Sequence, residues 1–351
     1  MGKSTLFNAL TGGGAAVATY AFATVEANTG VVPVPDERLY QLAGVFNPQK
    51  TTPATVTFVD IAGLVRGASH GEGLGNQFLA QIRECDAIAM VVRCFEDANV
   101  SHVTGRLDPS TDIEVVDYEL ILADLEVVAR RKERTAKAVQ QKRGDATELE
   151  ALERVESALN EGTPARRMEL SPDESAHLRE LSLLSLKPVI YIVNVGEGEA
   201  ARGGPCLEAA TAMANAERAR CVPISARLEA ELQELDEAEA KEYLATYGLS
   251  ESGLGRVARA AYDVLGLITF FTAGEKECRA WTIRAGTRAP QAASTIHTDF
   301  ERGFIKAEVA DWKDLVELGG WAQARAAAKV RLEGKDYVFR DGDTTVFRFN
   351  V

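Results

Sequence analysis

The chain begins with residue types that could bind a nucleoside triphosphate. Gly2, Lys3, Ser4 and Thr5 have the order of the last four residues of a phosphate-binding loop, G-x-x-x-x-G-K-[ST]. In such a loop backbone N–H groups surround the phosphates, the lysine ammonium reaches the β- and γ-oxygens, and the first hydroxyl binds Mg²⁺. The same four residues also occur together by chance, and then Ser4 would do no more than cap a helix at the chain terminus. Later motifs must decide between these two interpretations.

Two further motifs predict the rest of the phosphate and metal site. The sequence DIAG, from Asp60 to Gly63, ends an apolar strand. Such a turn would place the Asp60 carboxylate near Mg²⁺ and the Gly63 N–H near the γ-phosphate. Before it, the segment YAFATVEANTG offers Thr24 as the residue that completes octahedral Mg²⁺ coordination. The predicted metal ligands are therefore Ser4, Thr24 and Asp60.

A later pair of motifs predicts where a base would bind. The sequence NVGE follows one strand, at the position where GTPases carry N-K-x-D, and Ser225-Ala226 follows the next strand. In N-K-x-D the aspartate accepts hydrogen bonds from the ring N–H and the amino group of guanine. Adenine has an acceptor at that place and would be repelled by a carboxylate in the same position. Here the acid is one carbon longer, and an acid displaced in this way favours ATP over GTP, or at least removes the gain that is specific to guanine. The predicted base contacts are Asn194, Val195, Glu197, Ser225 and Ala226. The alternative for NVGE is an acidic surface loop without a base contact.

No catalytic residue is assigned from the sequence. Many GTPases place a water-orienting glutamine directly after D-x-x-G, whereas this chain has Leu64. An apolar side chain cannot orient the attacking water, so hydrolysis is expected to be slow or to depend on a partner. His70 lies in the glycine-rich segment RGASHGEGLGN and could approach a nucleotide, although loop histidines are more often solvated.

Alternating strands and helices must position these motifs. Short apolar runs read as buried strands at ATVTFVDIAGL, AIAMVVRCF, KPVIYIVNV and ARCVPISA. Helical patterns separate them at GNQFLAQIREC, CLEAATAMANAERA and GLGRVARAAYDVLGL. This alternation predicts an α/β fold with a mostly parallel sheet covered on both faces, in which ligands bind beyond the carboxyl ends of the strands.

Two other regions depart from this pattern. Between Val115 and Arg179 two amphipathic helices flank a Gly-Asp turn and predict an inserted antiparallel hairpin. The predicted apolar stripes are Tyr118, Leu122, Leu125 and Val128, and then Leu149, Leu152, Val155 and Leu159. From Ile268 period-two alternation with turn signals predicts a small mixed sheet with a short helix. The predicted domains are 1–114 with 180–267, 115–179, and 268–351.

Composition bounds the class of protein. The chain has 351 residues with 46% hydrophobic and 26% charged content, as expected of globular domains, and no run of about 18 apolar residues suggests a membrane span. Its five cysteines show no C-x-x-C spacing and its four histidines are scattered, so neither a zinc site nor a disulfide framework is expected. Together these features predict a cytoplasmic protein.

Charge limits the kind of partner. The net charge is −13, which would repel nucleic acid and acidic membranes over most of the surface. The segment from Arg130 to Arg143 is the exception, because seven basic residues face Glu133 alone. It is expected either to contact RNA or to pair with acids on the second hairpin helix. We expect no membrane or DNA partner and make no prediction of the oligomeric state.

Several long segments carry a family resemblance that runs over nearly the whole chain. They are GKSTLFNALT, FATVEANTGVVPVPDERL, FVDIAGLVRGASHGEGLGNQFL, VVRCFED, the NVGE motif and FFTAGEKECRAWTIRAGTRAPQAASTIHTDFERGFIKAEV. The sequence resembles the YchF family of Obg-like ATPases. The resemblance implies a nucleotide-binding G domain, an inserted helical hairpin and a C-terminal TGS domain with a β-grasp-like sheet. It also implies ATP as the preferred nucleotide and association with the ribosome in translation or stress control.

The resemblance assigns roles by motif. It implies that Lys3 and Ser4 hold the phosphates and Mg²⁺, that Thr24 completes the metal shell, and that Asn194 with the neighbouring backbone holds adenine. Leu64 matches the apolar replacement for the catalytic glutamine. The chain departs from the family at Ala21, where the family has proline, and at its start, where the family has a strand and G-L-P-N-V before G-K-S. We therefore expect the natural protein to be longer, with a valine codon written as Met1.

A hypothesis of another class stays open at this point. The chain could be a ribosome- or RNA-associated binding module without turnover, because an incomplete phosphate loop would weaken nucleotide binding. The TGS-like sheet and the basic segment would then make the contacts, with an affinity that falls steeply with salt. The TGS-like sheet could instead pack within the molecule or in a dimer. An ordinary GTPase would require GTP to outcompete ATP.

Overall fold

The computed structural model of the protein describes residues 2–12, 28–61, 74–96 and 107–350. The strands are β1 (Asn28–Pro33), β2 (Lys50–Thr52), β3 (Thr55–Asp60), β4 (Ile88–Cys94), β5 (Val189–Val195), β6 (Arg220–Ile224), β7 (Leu267–Ala273), β8 (Glu277–Arg284), β9 (Phe304–Asp311), β10 (Arg331–Glu333) and β11 (Asp343–Phe349). The helices are α1 (Lys3–Leu10), α2 (Glu37–Phe46), α3 (Leu74–Glu84), α4 (Pro109–Gln140), α5 (Ala146–Asn160), α6 (Pro172–Arg179), α7 (Glu199–Arg202), α8 (Pro205–Ala216), α9 (Ala226–Leu232), α10 (Glu237–Thr246), α11 (Gly253–Val264), α12 (Ala289–Ser294), α13 (Thr298–Arg302), α14 (Trp312–Leu318) and α15 (Trp321–Ala326). A short 3-10 helix lies at Ala165–Arg167.

The chain forms two compact units, each of which contains two separate segments of the sequence. The first contains Met1–Gly30 and Val59–Leu254, and the second contains Val31–Phe58 and Gly255–Val351. The three-domain division drawn from the sequence stays a prediction. None of the described helices is long and apolar enough to cross a membrane.

A parallel sheet organises the first unit. Its strand order is β4-β5-β6, with Arg93 paired to Asn194 and Asn194 to Ile224. Every residue of β5 is buried, as expected for a parallel strand covered on both faces. All four predicted strands are present, but only β4, β5 and β6 belong to this sheet, and their carboxyl ends lie at one edge. A separate two-stranded sheet pairs β1 with β3.

Helices α4 and α8 cover one part of this sheet. The core there combines Val92 of β4, Tyr191 and Val193 of β5, and Ala210 and Ala214 of α8. Because the alanine side chains are small, α8 packs closely against the strands. This packing fixes the positions of the strand ends.

The helical hairpin has a core of its own. Helices α4 and α5 are joined by residues 141–145 and pack together with α6 around Val128, Leu152, Val155 and Leu178. The Asp145 side chain caps α5 by accepting a hydrogen bond from the Thr147 N–H. The predicted hairpin is confirmed, and so is most of its second apolar stripe.

The predicted first stripe is wrong at Tyr118. That side chain is 58% exposed, and the buried face of α4 contains Asp117 and Asp124 instead. Asp124 is fully buried and accepts hydrogen bonds from the N–H groups of Leu184 and Ser185, at 2.8 and 2.7 Å. Hydrophobic periodicity considers only apolar residues, so it does not predict buried carboxylates whose burial is compensated by donors elsewhere in the chain.

A six-stranded mixed sheet organises the second unit. Its order is β10-β9-β11-β7-β8-β2, in which β11–β7 and β8–β2 are parallel pairs and the other pairs are antiparallel. Phe270, Phe304 and Phe347 form an aromatic core on which the alanines of α12 pack. The predicted mixed sheet is confirmed. The sequence patterns did not predict that β2 would pair with β8.

A disulfide joins two elements of the first unit. Cys94, the last residue of β4, is bonded to Cys206 in the first turn of α8, 112 residues further along the chain. The expectation that the cysteines form no disulfide is therefore wrong for this pair. Cys278 is free and buried, and burial raises the pKa of its thiol, so it remains protonated at neutral pH.

Candidate nucleotide site

The site begins at the N-terminus of α1. Leu6, Phe7 and Leu10 are buried on one face of this helix, which orients its first turn. Gly2 caps the helix in the left-handed conformation, at φ 84°, which favours glycine. Ser4 and Thr5 are exposed in that first turn. A helix N-terminus presents unpaired N–H groups and a positive dipole end, so it suits a phosphate.

Lys3 and Asp60 bring two of the predicted motifs together. The Lys3 ammonium donates a hydrogen bond to the Asp60 carboxylate, and the two groups form an ion pair. Asp60 is the last residue of β3. Its side chain is 15% exposed and that of Lys3 is 35% exposed, so the pair is partly shielded from water but open to an incoming ligand. The cation predicted to bind phosphate and the carboxylate predicted to lie near the metal are thus in contact.

The oxygen donors of Ser4 and Asp60 fit a magnesium ion that is bound mainly by the phosphates of a nucleotide. Ser4 supplies a hydroxyl oxygen and Asp60 a carboxylate oxygen, both of which are hard donors. Among the described residues no group of three or more His, Cys, Asp and Glu side chains could hold a metal. Mg²⁺ in nucleotide sites is bound by one or two carboxylates together with phosphates and water, so a sparse protein contribution is appropriate.

Asn194, a predicted base contact, links three elements of the first unit. Its Oδ1 accepts a hydrogen bond from the Ala226 N–H at 3.0 Å, which joins the end of β5 to the start of α9. Its Nδ2 lies so close to Gly2 that a side chain at Gly2 would collide with it. Asn194 is buried, and Ser225 caps α9 through the Leu228 N–H. Glycine is therefore required at position 2 by both space and backbone conformation.

The remaining residues of the NVGE motif have different environments. Val195 is buried in the core of the parallel sheet, so its side chain contacts apolar neighbours. Glu197 is half-buried; its carboxylate forms an ion pair with Arg227, whose Nε lies 3.1 Å away, and accepts a hydrogen bond from the Tyr247 hydroxyl at 3.5 Å. Sequence reasoning missed Arg227 and Tyr247. Arg227 directly follows the Ser225-Ala226 motif, which was the one signal available.

The structure thus brings the first-turn residues of α1, Asp60, Asn194 and Ala226 to one region. Four residues that the sequence analysis singled out lie outside the described residues, namely Thr24, Gly63, Leu64 and His70.

A parallel sheet with an amide at one strand end, beside a helix N-terminus that carries a lysine and a carboxylate from a neighbouring strand, is typical of P-loop proteins with the GTPase fold. Comparisons with known families agree with this class. A family model described as a 50S ribosome-binding GTPase matches residues 1–140. The model of the YchF GTPase C-terminal region, described as a protein of unknown function (DUF933), matches residues 267–350.

Relatives of known name identify the particular family. The ribosome-binding ATPase YchF of Escherichia coli O157:H7 is 51% identical, and that of Bacillus subtilis strain 168 is 48% identical. Each comparison covers 100% of this chain and 97% of the relative. A solved structure of the Schizosaccharomyces pombe YchF GTPase is 36% identical with a TM-score of 0.86, over 99% of this chain and 95% of that one. The chain belongs to the YchF family.

Proposed function

We propose that this protein binds ATP with Mg²⁺, hydrolyses it slowly and associates with the ribosome. The observation that carries the proposal is the Lys3–Asp60 pair at the N-terminus of α1. The bacterial relatives are named ribosome-binding ATPases, which supports both the activity and the partner.

Nucleotide binding would exchange the partners of this pair. Lys3 would turn from Asp60 to the β- and γ-oxygens, and the N–H groups of the first turn would bind the remaining phosphate oxygens. Asp60, Ser4 and Thr24 would hold Mg²⁺, which neutralises phosphate charge when it is bound. The Gly63 N–H would donate to the γ-phosphate. Asp60 therefore keeps the ammonium in place before the nucleotide arrives.

The preference for ATP rests on the base side. Asn194, the Val195 backbone and the Ser225-Ala226 turn would hold adenine, and Glu197 stands where GTPases have a shorter acid. The names of the relatives do not agree on the nucleotide, since the bacterial proteins are called ATPases and the yeast structure a GTPase. Slow hydrolysis follows from Leu64 in place of glutamine. His70 carries no role in this proposal.

The ribosome would be met by a local basic surface. Within the described part of the chain, the side chains of Arg131, Lys132 and Lys137 pair with acids at Glu148, Glu156 and Glu133. The basic hairpin surface comprises the exposed residues Arg130, Arg134, Lys142 and Arg143, whose side chains form no ion pair in the described structure. Such cations suit RNA phosphates.

A ribosome partner also supports a cytoplasmic location. We retain the three domains predicted from the sequence, including a C-terminal TGS domain.

Calorimetry of the chain with Mg-ATP, and a phosphate-release assay, test the proposal. We expect saturable ATP binding that weakens on chelation of Mg²⁺, and GTP binding weaker than ATP binding. Lys3→Ala should lower ATP affinity by about tenfold or more, because a charge-assisted contact to phosphate is lost. Lys329→Ala, which removes an exposed lysine paired with Asp314, is the matched control. Failure of the wild-type chain to bind either nucleotide would contradict the proposal.

A further inference from the structure

A closed ring of polar side chains surrounds the acid of the NVGE motif. Arg227 Nε contacts Glu197 at 3.1 Å and Glu231 at 3.4 Å. The Tyr243 hydroxyl donates to Glu231 at 2.5 Å and lies 3.5 Å from the Tyr247 hydroxyl. Tyr247 closes the ring by donating to Glu197 at 3.5 Å. We call these five residues the Glu197 ring.

The ring engages both oxygens of the Glu197 carboxylate. Arg227 approaches Oε1 and Tyr247 donates to Oε2. Tyr243 and Tyr247 pack edge to face with centroids 5.4 Å apart, which restricts the Tyr247 ring. The carboxylate is therefore oriented from two sides, although Arg227 itself is 78% exposed and its ion pair alone is weak.

These contacts make the Glu197 carboxylate poorly suited to recognise guanine. A carboxylate that reads guanine must point both oxygens at the ring N–H and the amino group, and it must be free to accept from them. Adenine has an acceptor in place of that ring N–H, so a free carboxylate would repel it. A carboxylate that is already paired with a guanidinium and a hydroxyl offers guanine little and repels adenine less.

We propose that Arg227 and Tyr247 are specificity-determining residues, which hold Glu197 in an orientation that disfavours guanine and so select an adenine nucleotide. This inference rests on the proposed function and deepens it. Both residues act through Glu197, so they are positioning residues. The preference for ATP over GTP then has two causes. One is the length of the Glu197 side chain, and the other is its contacts with Arg227 on α9 and with Tyr247 after α10.

The test compares the affinities for Mg-ATP and Mg-GTP by competition with a fluorescent nucleotide at fixed salt. The variants are Arg227→Ala, Tyr247→Phe and the double variant, with Arg218→Ala as the control. Arg218 is a highly exposed arginine that pairs with Glu169. The expected result is a fall of about tenfold in the ATP-to-GTP preference of the double variant, through tighter GTP binding, because a charge-assisted contact becomes available to guanine. The control should keep the wild-type ratio.

A third substitution separates positioning from general damage. Glu197→Gln added to the double variant should cancel the gain in GTP affinity, because the amide cannot accept from both guanine donors. Arg227→Gln is the milder alternative should Arg227→Ala lower the melting temperature. ATP binding with an unchanged ratio in both the alanine and the glutamine variants would overturn this inference alone. A wild-type chain that binds neither nucleotide would overturn the proposed function and this inference with it.

Discussion

Lys3 lies at the start of α1 and Asp60 at the end of β3, and their side chains form an ion pair across 57 residues of sequence. Without a nucleotide each group satisfies the other. With Mg-ATP each would have a better partner, Lys3 in the phosphates and Asp60 in the metal. The pair therefore makes ATP affinity depend on magnesium, and a single substitution at Asp60 can change this dependence.

Asp60→Asn should lower ATP affinity in the presence of magnesium but not in its absence. In the presence of Mg²⁺ the affinity should fall by about tenfold, because an amide is a weaker ligand than a carboxylate. In EDTA it should equal or exceed that of the wild type, because Lys3 no longer has a competing partner. Calorimetry under both conditions measures this. Equal losses in both conditions would show that Asp60 acts on folding or on the phosphates alone.

The control for this change is Glu277→Gln. Glu277 lies in the second unit, where its carboxylate accepts a hydrogen bond from the Thr52 hydroxyl at 2.6 Å. Glu277→Gln replaces a carboxylate by an amide, as Asp60→Asn does. It should leave ATP affinity unaltered in both buffers.

Arg166 should be essential to stability where the hairpin meets the parallel sheet. It pairs with Asp117 at 2.5 Å and with Glu217 at 2.8 Å, and all three side chains are buried. Arg166→Met should cost about 3 to 5 kcal/mol in the free energy of unfolding, because two carboxylates lose their buried cation. Arg167→Met should cost clearly less, since Arg167 is more exposed and its side chain pairs with one acid, Glu217, among the described residues. Urea denaturation of both variants measures the difference, and equal costs would contradict the prediction.

Acid should reduce the contribution of this cluster. Burial alone would raise the pKa of Glu217, but Arg166, Arg167 and the Tyr191 hydroxyl together lower it. A lowered pKa in the folded state gives stability that is present above the ordinary pKa of about 4.5 and is lost as the pH falls through the folded value. The difference in unfolding free energy between wild type and Arg166→Met should accordingly shrink below pH 4.5.

Much of the fold and of the site could be predicted from the sequence. The strands at the site are continuous apolar runs that end in polar residues, and in parallel sheets such ends meet at one edge. For Lys3 and Asp60, which belong to α1 and to the separate β1–β3 sheet, the prediction comes from the motif types instead. The strand-end reasoning by itself predicts that Asn194 lies beside Ser225 and Ala226. It succeeds because each motif is local and its strand is strongly patterned.

The rest depends on contacts between distant residues. The buried face of α4 contains Asp117 and Asp124, which hydrophobic periodicity assigns to solvent, because their compensating donors lie 49 or more residues away. Strand β2 is three residues long and carries too little pattern to reveal its partner β8. Tyr247 reaches Glu197 over 50 residues of sequence. Such pairings have no local signal.

The disulfide can be counted directly. Alkylation of the unfolded chain without a reductant should label three of the five cysteines, because Cys94 and Cys206 are bonded to each other. Cys206→Ser should add a label at Cys94, whereas Cys221→Ser should remove one label with or without reductant. Intact mass measures the number of labels. Labelling of all the cysteines on the unreduced chain would contradict the pairing.

The basic hairpin surface should govern the salt dependence of ribosome association. Arg130→Glu with Arg134→Glu should weaken co-sedimentation with ribosomes and reduce the slope of log affinity against log salt by about one per arginine. ATP affinity should not change, because neither residue belongs to the site. Arg218→Glu is the control, as an exposed arginine elsewhere in the first unit. An unchanged salt slope in the double variant would place the contact on another surface.

The most direct measurement of the central claim is release of the γ-phosphate from ATP in a single turnover, with protein in excess over nucleotide. The wild-type chain should release phosphate slowly with Mg²⁺ and not in EDTA, and Lys3→Ala should abolish the Mg-dependent phase. Release that is equal in the wild type and in Lys3→Ala, or absent from the wild type when all of the Mg-ATP is bound to protein, would contradict the account.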